Sequence, residues 1–178
     1  LIEADFSGGA DKARISDRLD TYGNLPTAMY SDYENESLVL LDNYFWDRSD
    51  NSHTPKSRMA LVSTDGLKNI DEEVLLGHIS DSRKVGDIYY VATRSVHWRN
   101  EKQSNFGMVY ALKVEDGQIE KIAEHKLTLP VSWNETMNIV EVPLGEVDGE
   151  MRYNYYLIAI TQGGWAWWRN CLLYTSPS

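Results

Sequence analysis

Three consecutive residues, Asp81, Ser82 and Arg83, bring together a carboxylate, a hydroxyl and a guanidinium, and they are the first candidate for chemistry. A guanidinium can bind an anionic ligand through paired N–H groups, which would make Arg83 a binding residue. Alternatively, Asp81 and Arg83 form a hydrogen-bonded tie that satisfies polar groups otherwise buried without a partner. We favour the structural role, because charged side chains inside proteins are mostly paired.

Aromatic side chains at the ends of apolar segments are the second candidate. The binding residues that this pattern suggests are Trp46, Trp98, Trp165, Trp167 and Trp168. Exposed indoles stack on sugar rings or hold a peptide, since tryptophan offers a large rigid face at small entropic cost. In the alternative, which we favour because apolar clusters usually serve a core, these rings pack between layers of structure.

No motif indicates catalysis, a metal or a cofactor. The G-x-S-x-G, Walker A and G-x-G-x-x-G patterns are absent, and no pair of carboxylates can be assigned to acid/base work because their separation depends on the fold. The histidines lack zinc-site spacing, and the oxygen-rich loop at 47–53 lacks the spacing and the glycine of an EF-hand. We therefore expect no metal and no cofactor, and we expect a non-enzymatic protein rather than an enzyme.

Composition narrows the class of protein. The chain has 178 residues, 42% hydrophobic and 25% charged, with a formal net charge of -10. The apolar content is too high for a disordered chain, and no apolar run approaches the ~18 residues of a membrane-spanning helix. The acidic balance and the lack of a basic patch argue against a nucleic-acid partner. The single cysteine, Cys171, excludes an intrachain disulfide.

Short runs of β-branched and aromatic residues, bounded by turn-forming residues, predict an all-β chain. The runs span residues 38–41, 59–62, 88–92, 108–112, 139–140 and 155–160. Helix signals are weak and limited to residues 10–19 and 71–76. Two hairpin turns are predicted at the Asp-Gly pairs Asp65 with Gly66 and Asp116 with Gly117, since both central residues of a tight hairpin turn need positive φ.

Two markers recur at nearly one spacing along the chain. The Asp-Gly pairs begin at positions 65 and 116, which are 51 residues apart, and Trp46 and Trp98 are 52 apart. Four strands per repeat of roughly 40–50 residues is the signature of a propeller blade. We therefore predict an all-β, antiparallel β-propeller fragment, with about two complete four-stranded blades and part of a third. A β-sandwich of irregular hairpins is the alternative.

The predicted partial propeller covers residues 1–170. Its blades lie at about 22–76 and 77–130, and a partial third blade lies at about 131–170. In such a ring the tryptophans at the segment ends would lie on one rim, and Arg83 would face the central channel.

Both ends of the chain indicate a piece of a longer protein. The chain begins with neither Met nor a targeting segment. Residues 171–178, CLLYTSPS, resemble the translation of a transposase-type sequencing adapter of the kind found on reading frames from environmental shotgun assemblies. We expect 171–178 to be a non-native tail.

The stretch GHISDSRKVGDIYYV at 77–91 is the most specific motif in the chain. It resembles a pattern of secreted bacterial and archaeal β-propeller domain proteins that are distantly related to WD40 repeats: a Gly, a short strand, Asp-Ser-Arg, an apolar residue, Gly-Asp and a strand with Tyr. Gly86 joins the candidate structural residues through this likeness. The resemblance covers residues 22–129 well and 130–168 loosely. That family usually has Asp-Pro before the last blade strand, and Asp-Gly stands there in this chain, which keeps a turn.

The resemblance implies a multi-blade propeller located outside the cytoplasm, whether secreted, periplasmic or on the cell surface, and it implies no known activity. Together with the lack of catalytic motifs, it leads us to expect a binding or scaffold module for a protein or glycan partner. The alternative is a propeller enzyme, a hydrolase or lyase, whose active residues lie in blades outside this sequence. We expect no nucleic-acid partner and no transmembrane segment, and the sequence leaves the oligomeric state open.

Overall fold

The computed structural model describes residues 2–5, 7–9, 14–19, 25–32, 37–43, 55–95, 106–127, 133–147, 149–162 and 171–175. The strands in these ranges are β1 (Ile2–Asp5), β2 (Arg14–Arg18), β3 (Leu25–Asp32), β4 (Ser37–Asn43), β5 (Lys56–Ser63), β6 (Asn69–Leu76), β7 (His78–Val85), β8 (Ile88–Ser95), β9 (Phe106–Glu115), β10 (Gln118–Lys126), β11 (Trp133–Val147), β12 (Glu150–Gln162) and β13 (Cys171–Thr175). None of the described residues is helical, and the prediction of an all-β chain is confirmed.

The strands form antiparallel sheets that follow the order of the chain. Sheet I contains β3 to β6, sheet II contains β7 to β10, and sheet III contains β11 to β13, while β1 pairs with β2 in a separate hairpin. Sheets I and II are both four-stranded. The described strands do not close into a ring, and the assignment of these sheets to propeller blades stays a prediction. The segment assigned to the non-native tail contributes β13, which pairs with β12.

Residues 71–76, which carry a weak helix signal in the sequence, form most of β6. Along this strand Leu75 is fully buried, whereas its neighbours Val74 and Leu76 are about half exposed. Such alternation is the period of a strand with one face against a core. The pairing with β5 therefore outweighs the local helical preference of the glutamates.

The first strands of sheets I and II are irregular in the same way. An extra residue interrupts the pairing of each strand with its neighbour, Thr27 in β3 and Ser80 in β7. Each hydroxyl donates to a carbonyl of the neighbouring strand, Thr27 Oγ1 to Leu41 O at 3.0 Å and Ser80 Oγ to Ala92 O at 3.2 Å. Both positions are β-bulges, which bend an edge strand and turn the residues after the bulge to new directions.

The last strands of both sheets carry a second matching bulge. The extra residue is Ile70 in β6 and Ile122 in β10, and each side chain is 48% exposed. The central pairs, β4 with β5 and β8 with β9, run without any shift in register. Irregularity in sheets I and II is thus confined to the edge strands, where a bulge hinders pairing with another chain.

The two predicted Asp-Gly turns differ in the structure. Asp116 and Gly117 form the two-residue connection of β9 to β10, with φ values of 51° and 73°. Between β5 and β6, positive φ falls instead on Gly66 and Leu67, at 71° and 42°. The predicted hairpin forms, since β5 pairs with β6, but the expected two-residue turn with positive φ at Asp65 is wrong. The physical reason is Leu67, which is only 4% exposed, because burying this side chain requires a longer loop.

A shared apolar core lies between sheets I and II. It takes side chains from the central strands of both sheets, together with one residue each from β6 and β7. Its buried members are Val39, Leu41, Met59, Leu61, Leu75, Ile79, Tyr89, Val91, Met108, Tyr110, Leu112 and Val114. Two sheets that share such a core are packed face to face.

Sheet II also buries its opposite face. Ala92 and Val109 pack there with Met137 of β11 and with Leu127, which follows β10. Leu157 of β12 packs against the same cluster. Sheet II therefore lies between sheet I and sheet III, and the three sheets form a stack.

The first strand of sheet II begins against the ends of sheet I. Gly77 N–H donates to the carbonyl of Pro55, just before β5, at 2.7 Å. Two residues later, Ile79 N–H donates to Oδ1 of Asn43, at the end of β4, also at 2.7 Å. The contacts of the chain move from the start of β5 to the end of β4 as β7 begins. The strand β7 therefore crosses sheet I in the direction of β3, its first strand.

Gly77 is the only residue between β6 and β7, and its surroundings are closely packed. Its φ is +93°, and a Cβ atom here would lie 2.8 Å from the Arg94 carbonyl oxygen. The neighbouring Leu76 is bound on both sides: its N–H donates to Tyr110 Oη at 3.1 Å, and its carbonyl accepts from Thr93 Oγ1 at 2.6 Å. The connection therefore requires glycine for its conformation and for space.

Alanine substitutions at Gly77 and at a control glycine distinguish the need for positive φ from the need for space. We expect Gly77→Ala to lower the free energy of unfolding by about 2–4 kcal/mol, because strain at positive φ adds to a clash with backbone. Gly86→Ala is the matched control, since Gly86 has φ +58° but no atom within 4 Å of the added Cβ. That variant should lose only about 1–2 kcal/mol. Urea denaturation measures both values, and equal losses would contradict the close packing at Gly77.

The Tyr110 hydroxyl should make stability depend on pH. Burial raises the pKa of Tyr110 above its ordinary value of 10.0. The contribution of the neutral Tyr110 hydroxyl to the free energy of unfolding is therefore fully present below pH 10. It is lost as the pH rises further, because the hydroxyl ionises more easily in the unfolded chain. We expect Tyr110→Phe to cost about 1–2 kcal/mol at pH 8 and to flatten the fall in stability above pH 10.

Thermal unfolding of both proteins from pH 8 to 11 tests the role of Tyr110. The exposed Tyr153→Phe is the control. Its profile should follow that of the wild type. If Tyr110→Phe also followed the wild type at every pH, the bond to Leu76 would make no contribution.

Candidate functional site

A cleft of about 440 Å³ lies between β3 and β7, the first strands of sheets I and II. Both are edge strands of their sheets, and β3 forms one wall while β7 forms the other. The lining residues are Thr27, Ala28, Tyr30, Ile79, Ser80, Asp81, Ser82 and Arg83. The three candidate residues Asp81, Ser82 and Arg83 are therefore brought together in one concave site.

The Asp81 carboxylate is held in place by hydrogen bonds from two backbone N–H groups and from one side chain. Asp81 follows the bulge at Ser80, and its Oδ2 accepts the N–H of Met137 in β11 at 2.6 Å. Its Oδ1 accepts the N–H of Ser82 at 2.8 Å and a bond from Arg83 Nη1 at 2.7 Å. The carboxylate thus links sheet II to sheet III while it orients the arginine.

The Arg83 guanidinium is anchored at one nitrogen. Nη1 donates to Asp81 Oδ1 and to the Ser82 carbonyl, both at 2.7 Å. Nε and Nη2 have no hydrogen-bond partner among the described residues, and the side chain is 45% exposed. The arrangement leaves one edge of a positioned guanidinium open to a further acceptor.

A pair of hydroxyls joins the two walls of the cleft. Tyr30 Oη and Ser82 Oγ lie 2.8 Å apart and share a hydrogen bond. The Tyr30 ring meets the ring of Tyr89 edge to face, with centroids 5.5 Å apart and an interplanar angle of 71°. Lys84 Nζ lies 5.0 Å from the centroid of Tyr89, within the range of a cation–π contact. These contacts hold Tyr30 at the cleft.

The other sequence candidates that the structure describes do not line the cleft. Gly86 lies in the two-residue turn between β7 and β8, and the two Asp-Gly pairs lie in the turns that lead to β6 and β10. Five candidates fall outside the described residues: Trp46, Trp98, Trp165, Trp167 and Trp168. A binding or core role for these tryptophans stays a prediction.

Several lining residues were not among the sequence candidates. Thr27 and Tyr30 come from β3, which is separated from the Asp-Ser-Arg motif by about one repeat. The equivalent bulge positions, Thr27 and Ser80, are 53 residues apart, close to the spacing of the Asp-Gly pairs. Alignment of the two repeats on the hydroxyl residue that precedes the motif would have identified Thr27.

A second charged cluster crosses sheet I on three neighbouring strands. Arg58 of β5 contacts both carboxylate oxygens of Asp42 through Nε, at 3.0 and 3.1 Å, and its Nη1 contacts Glu72 at 2.9 Å. The Asp42 side chain is fully buried, and that of Arg58 is 14% exposed. These charges are paired within the cluster, which is the usual arrangement of ionised groups inside a protein.

The described residues contain no candidate metal site. No three His, Cys, Asp or Glu side chains in these parts of the chain are close enough together to bind an ion. No helix that the structure describes has the length and the apolar surface needed to cross a membrane.

The Asp81 carboxylate should be important for stability. Asp81→Ala removes the acceptor of the Met137 N–H and the ion pair with Arg83, and we expect a loss of about 2–3 kcal/mol. The exposed Glu120→Ala on β10 is the control and should change stability by less than about 0.5 kcal/mol. Chemical denaturation of both variants provides the measurement. An unchanged Asp81→Ala would mean that this contact between sheets II and III contributes nothing.

Comparison with known proteins does not connect the chain to a family. No family model matches it, and none of the curated proteins searched is significantly similar in sequence.

Proposed function

We propose that this chain is part of an extracytoplasmic β-propeller, which serves as a binding or scaffold module for a protein or glycan partner. The observation that carries the proposal is the repetition of sheets I and II. Both have four antiparallel strands in chain order, bulges at matching edge positions and an Asp-Gly pair between their third and fourth strands. A repeated four-stranded meander is the building unit of a propeller.

Burial on both faces favours stacked blades over a two-layer β-sandwich. In a sandwich, each sheet has one face in the core and one face in solvent. Sheet II instead buries Tyr89 and Val91 towards sheet I, and Ala92 and Val109 towards sheet III. A layer enclosed on both faces is expected for a blade with a neighbour on each side.

The cleft between β3 and β7 supports a binding role. In a propeller the first strands of successive blades border the central channel, where ligands are bound by side chains from several blades. The cleft here combines an anchored guanidinium, hydroxyls from both walls and the apolar Ala28 and Ile79. Location outside the cytoplasm rests on the family resemblance alone.

Filling the cleft tests the binding role. We expect the wild-type chain to bind some members of immobilised glycan and peptide arrays. Ala28→Trp should weaken that binding at least about tenfold, because the larger side chain occupies the cleft. Glu120→Trp, which adds the same side chain to exposed β10, should bind as the wild type does.

Circular dichroism and melting temperature establish that both tryptophan variants are folded. Equal binding by Ala28→Trp and the wild type would place binding elsewhere on the chain. No binding to either array by the folded wild type would overturn the proposed function.

A further inference from the structure

We infer that the cleft between β3 and β7 binds a sugar acid, whose carboxylate is held by the open edge of the Arg83 guanidinium. This inference rests on the proposed function, because it specifies the ligand of the same cleft. An arginine binds a carboxylate best through two parallel N–H bonds. Nε and Nη2 of Arg83 present two such donors on one edge, and neither is used by any described residue.

The anchoring of Arg83 reduces the cost of binding. Nη1 is fixed by the Asp81 carboxylate and the Ser82 carbonyl, both at 2.7 Å. Asp81 is fixed in turn by the Met137 N–H. A guanidinium that is already positioned loses less side-chain freedom when the ligand binds than a mobile one would.

Asp81 limits the charge that the site can accept. Its own negative charge lies beside the guanidinium, so the pair is neutral before the ligand arrives. The Asp81 carboxylate repels a ligand with one negative charge less strongly than a phosphate, which carries about two negative charges. The net charge of -10 also disfavours polyanions. A monovalent carboxylate is therefore the anion that fits best.

The hydroxyl groups of the cleft favour a sugar as the body of the ligand. Thr27 and Ser80 donate their protons to the Leu41 and Ala92 carbonyls, which leaves lone pairs on both oxygens to accept bonds. Tyr30 and Ser82 share one hydrogen bond between them, so one further hydroxyl proton remains to donate. Sugar hydroxyls can both donate and accept, and the cleft volume of about 440 Å³ is within the usual range of small-molecule sites.

Titration calorimetry with three probes tests the assignment on the full chain. We expect D-galacturonate to bind at least about tenfold more tightly than neutral D-galactose, because a charge-assisted bidentate contact is added. Cyclohexanecarboxylate, which has one carboxylate on a six-membered ring but no hydroxyl groups, should bind more weakly than galacturonate. Raising the salt concentration should weaken galacturonate binding and leave galactose binding unchanged.

Variants at Arg83 locate the contact. Arg83→Gln should reduce galacturonate binding to the level of galactose, and Arg83→Lys should give an intermediate value, because lysine keeps the charge without the paired donors. Lys68→Gln, which removes the same charge from an exposed loop position, should bind as the wild type does. If Arg83→Gln does not fold, Arg83→Lys and the comparison of probes decide the question.

Each result has a distinct meaning. Equal binding of galacturonate and galactose, or full galacturonate binding by Arg83→Lys, would overturn the inference. Equal binding of cyclohexanecarboxylate and galacturonate would overturn the sugar assignment. Loss of array binding in Ala28→Trp without any preference for galacturonate would refute the sugar acid while the proposed function stands.

Discussion

The stacking of sheets I and II depends on a connection of one residue. Because only Gly77 separates β6 from β7, the chain must enter the second sheet directly above the ends of the first. Its positive φ, and the Arg94 carbonyl that leaves no room for a Cβ atom, restrict the path by which the chain enters β7. The backbone N–H and carbonyl of Leu76, next to this turn, are hydrogen-bonded to Tyr110 and Thr93, both from sheet II. The side chains that hydrogen-bond to the connection thus belong to sheet II, and the position of sheet II is itself set by the connection. The turn and the stacked sheets therefore stabilise each other.

The edge strands of sheets I and II are shaped against pairing with another chain. Unpaired edges of antiparallel sheets invite pairing with other chains, and bulges hinder it. Sheets I and II have a bulge in both edge strands and none in their central pairs. Most side chains of β10 are exposed, and many are charged. Sheet II meanwhile has apolar residues on both faces, and it meets sheets I and III by face-to-face packing.

Local sequence predicts the parts of this fold that local physics determines. Apolar runs with buried faces identify the central strands, and the turn at Asp116 and Gly117 follows from a need for positive φ that acts within two residues. The loop before β6 differs because Leu67 is buried, and that burial depends on distant strands. The cleft is more difficult to predict from sequence, because Tyr30 and Ser82 are 52 residues apart in the chain and come into contact only when the sheets stack. Among the sequence patterns, only the spacing of the repeats relates residues that are this far apart in the chain.

The two roles considered for the Asp-Ser-Arg segment are compatible, because its residues make different contacts. Asp81 has its hydrogen bonds to Met137, Ser82 and Arg83, which suits a structural role between sheets. Arg83 uses only Nη1 in that network, and the rest of its guanidinium is not required to satisfy any described acceptor. The structural tie uses the two N–H groups of Nη1, one to the Asp81 carboxylate and one to the Ser82 carbonyl. The donors on the other edge, Nε and Nη2, have no acceptor among the described residues, and a planar carboxylate from outside the network matches their geometry.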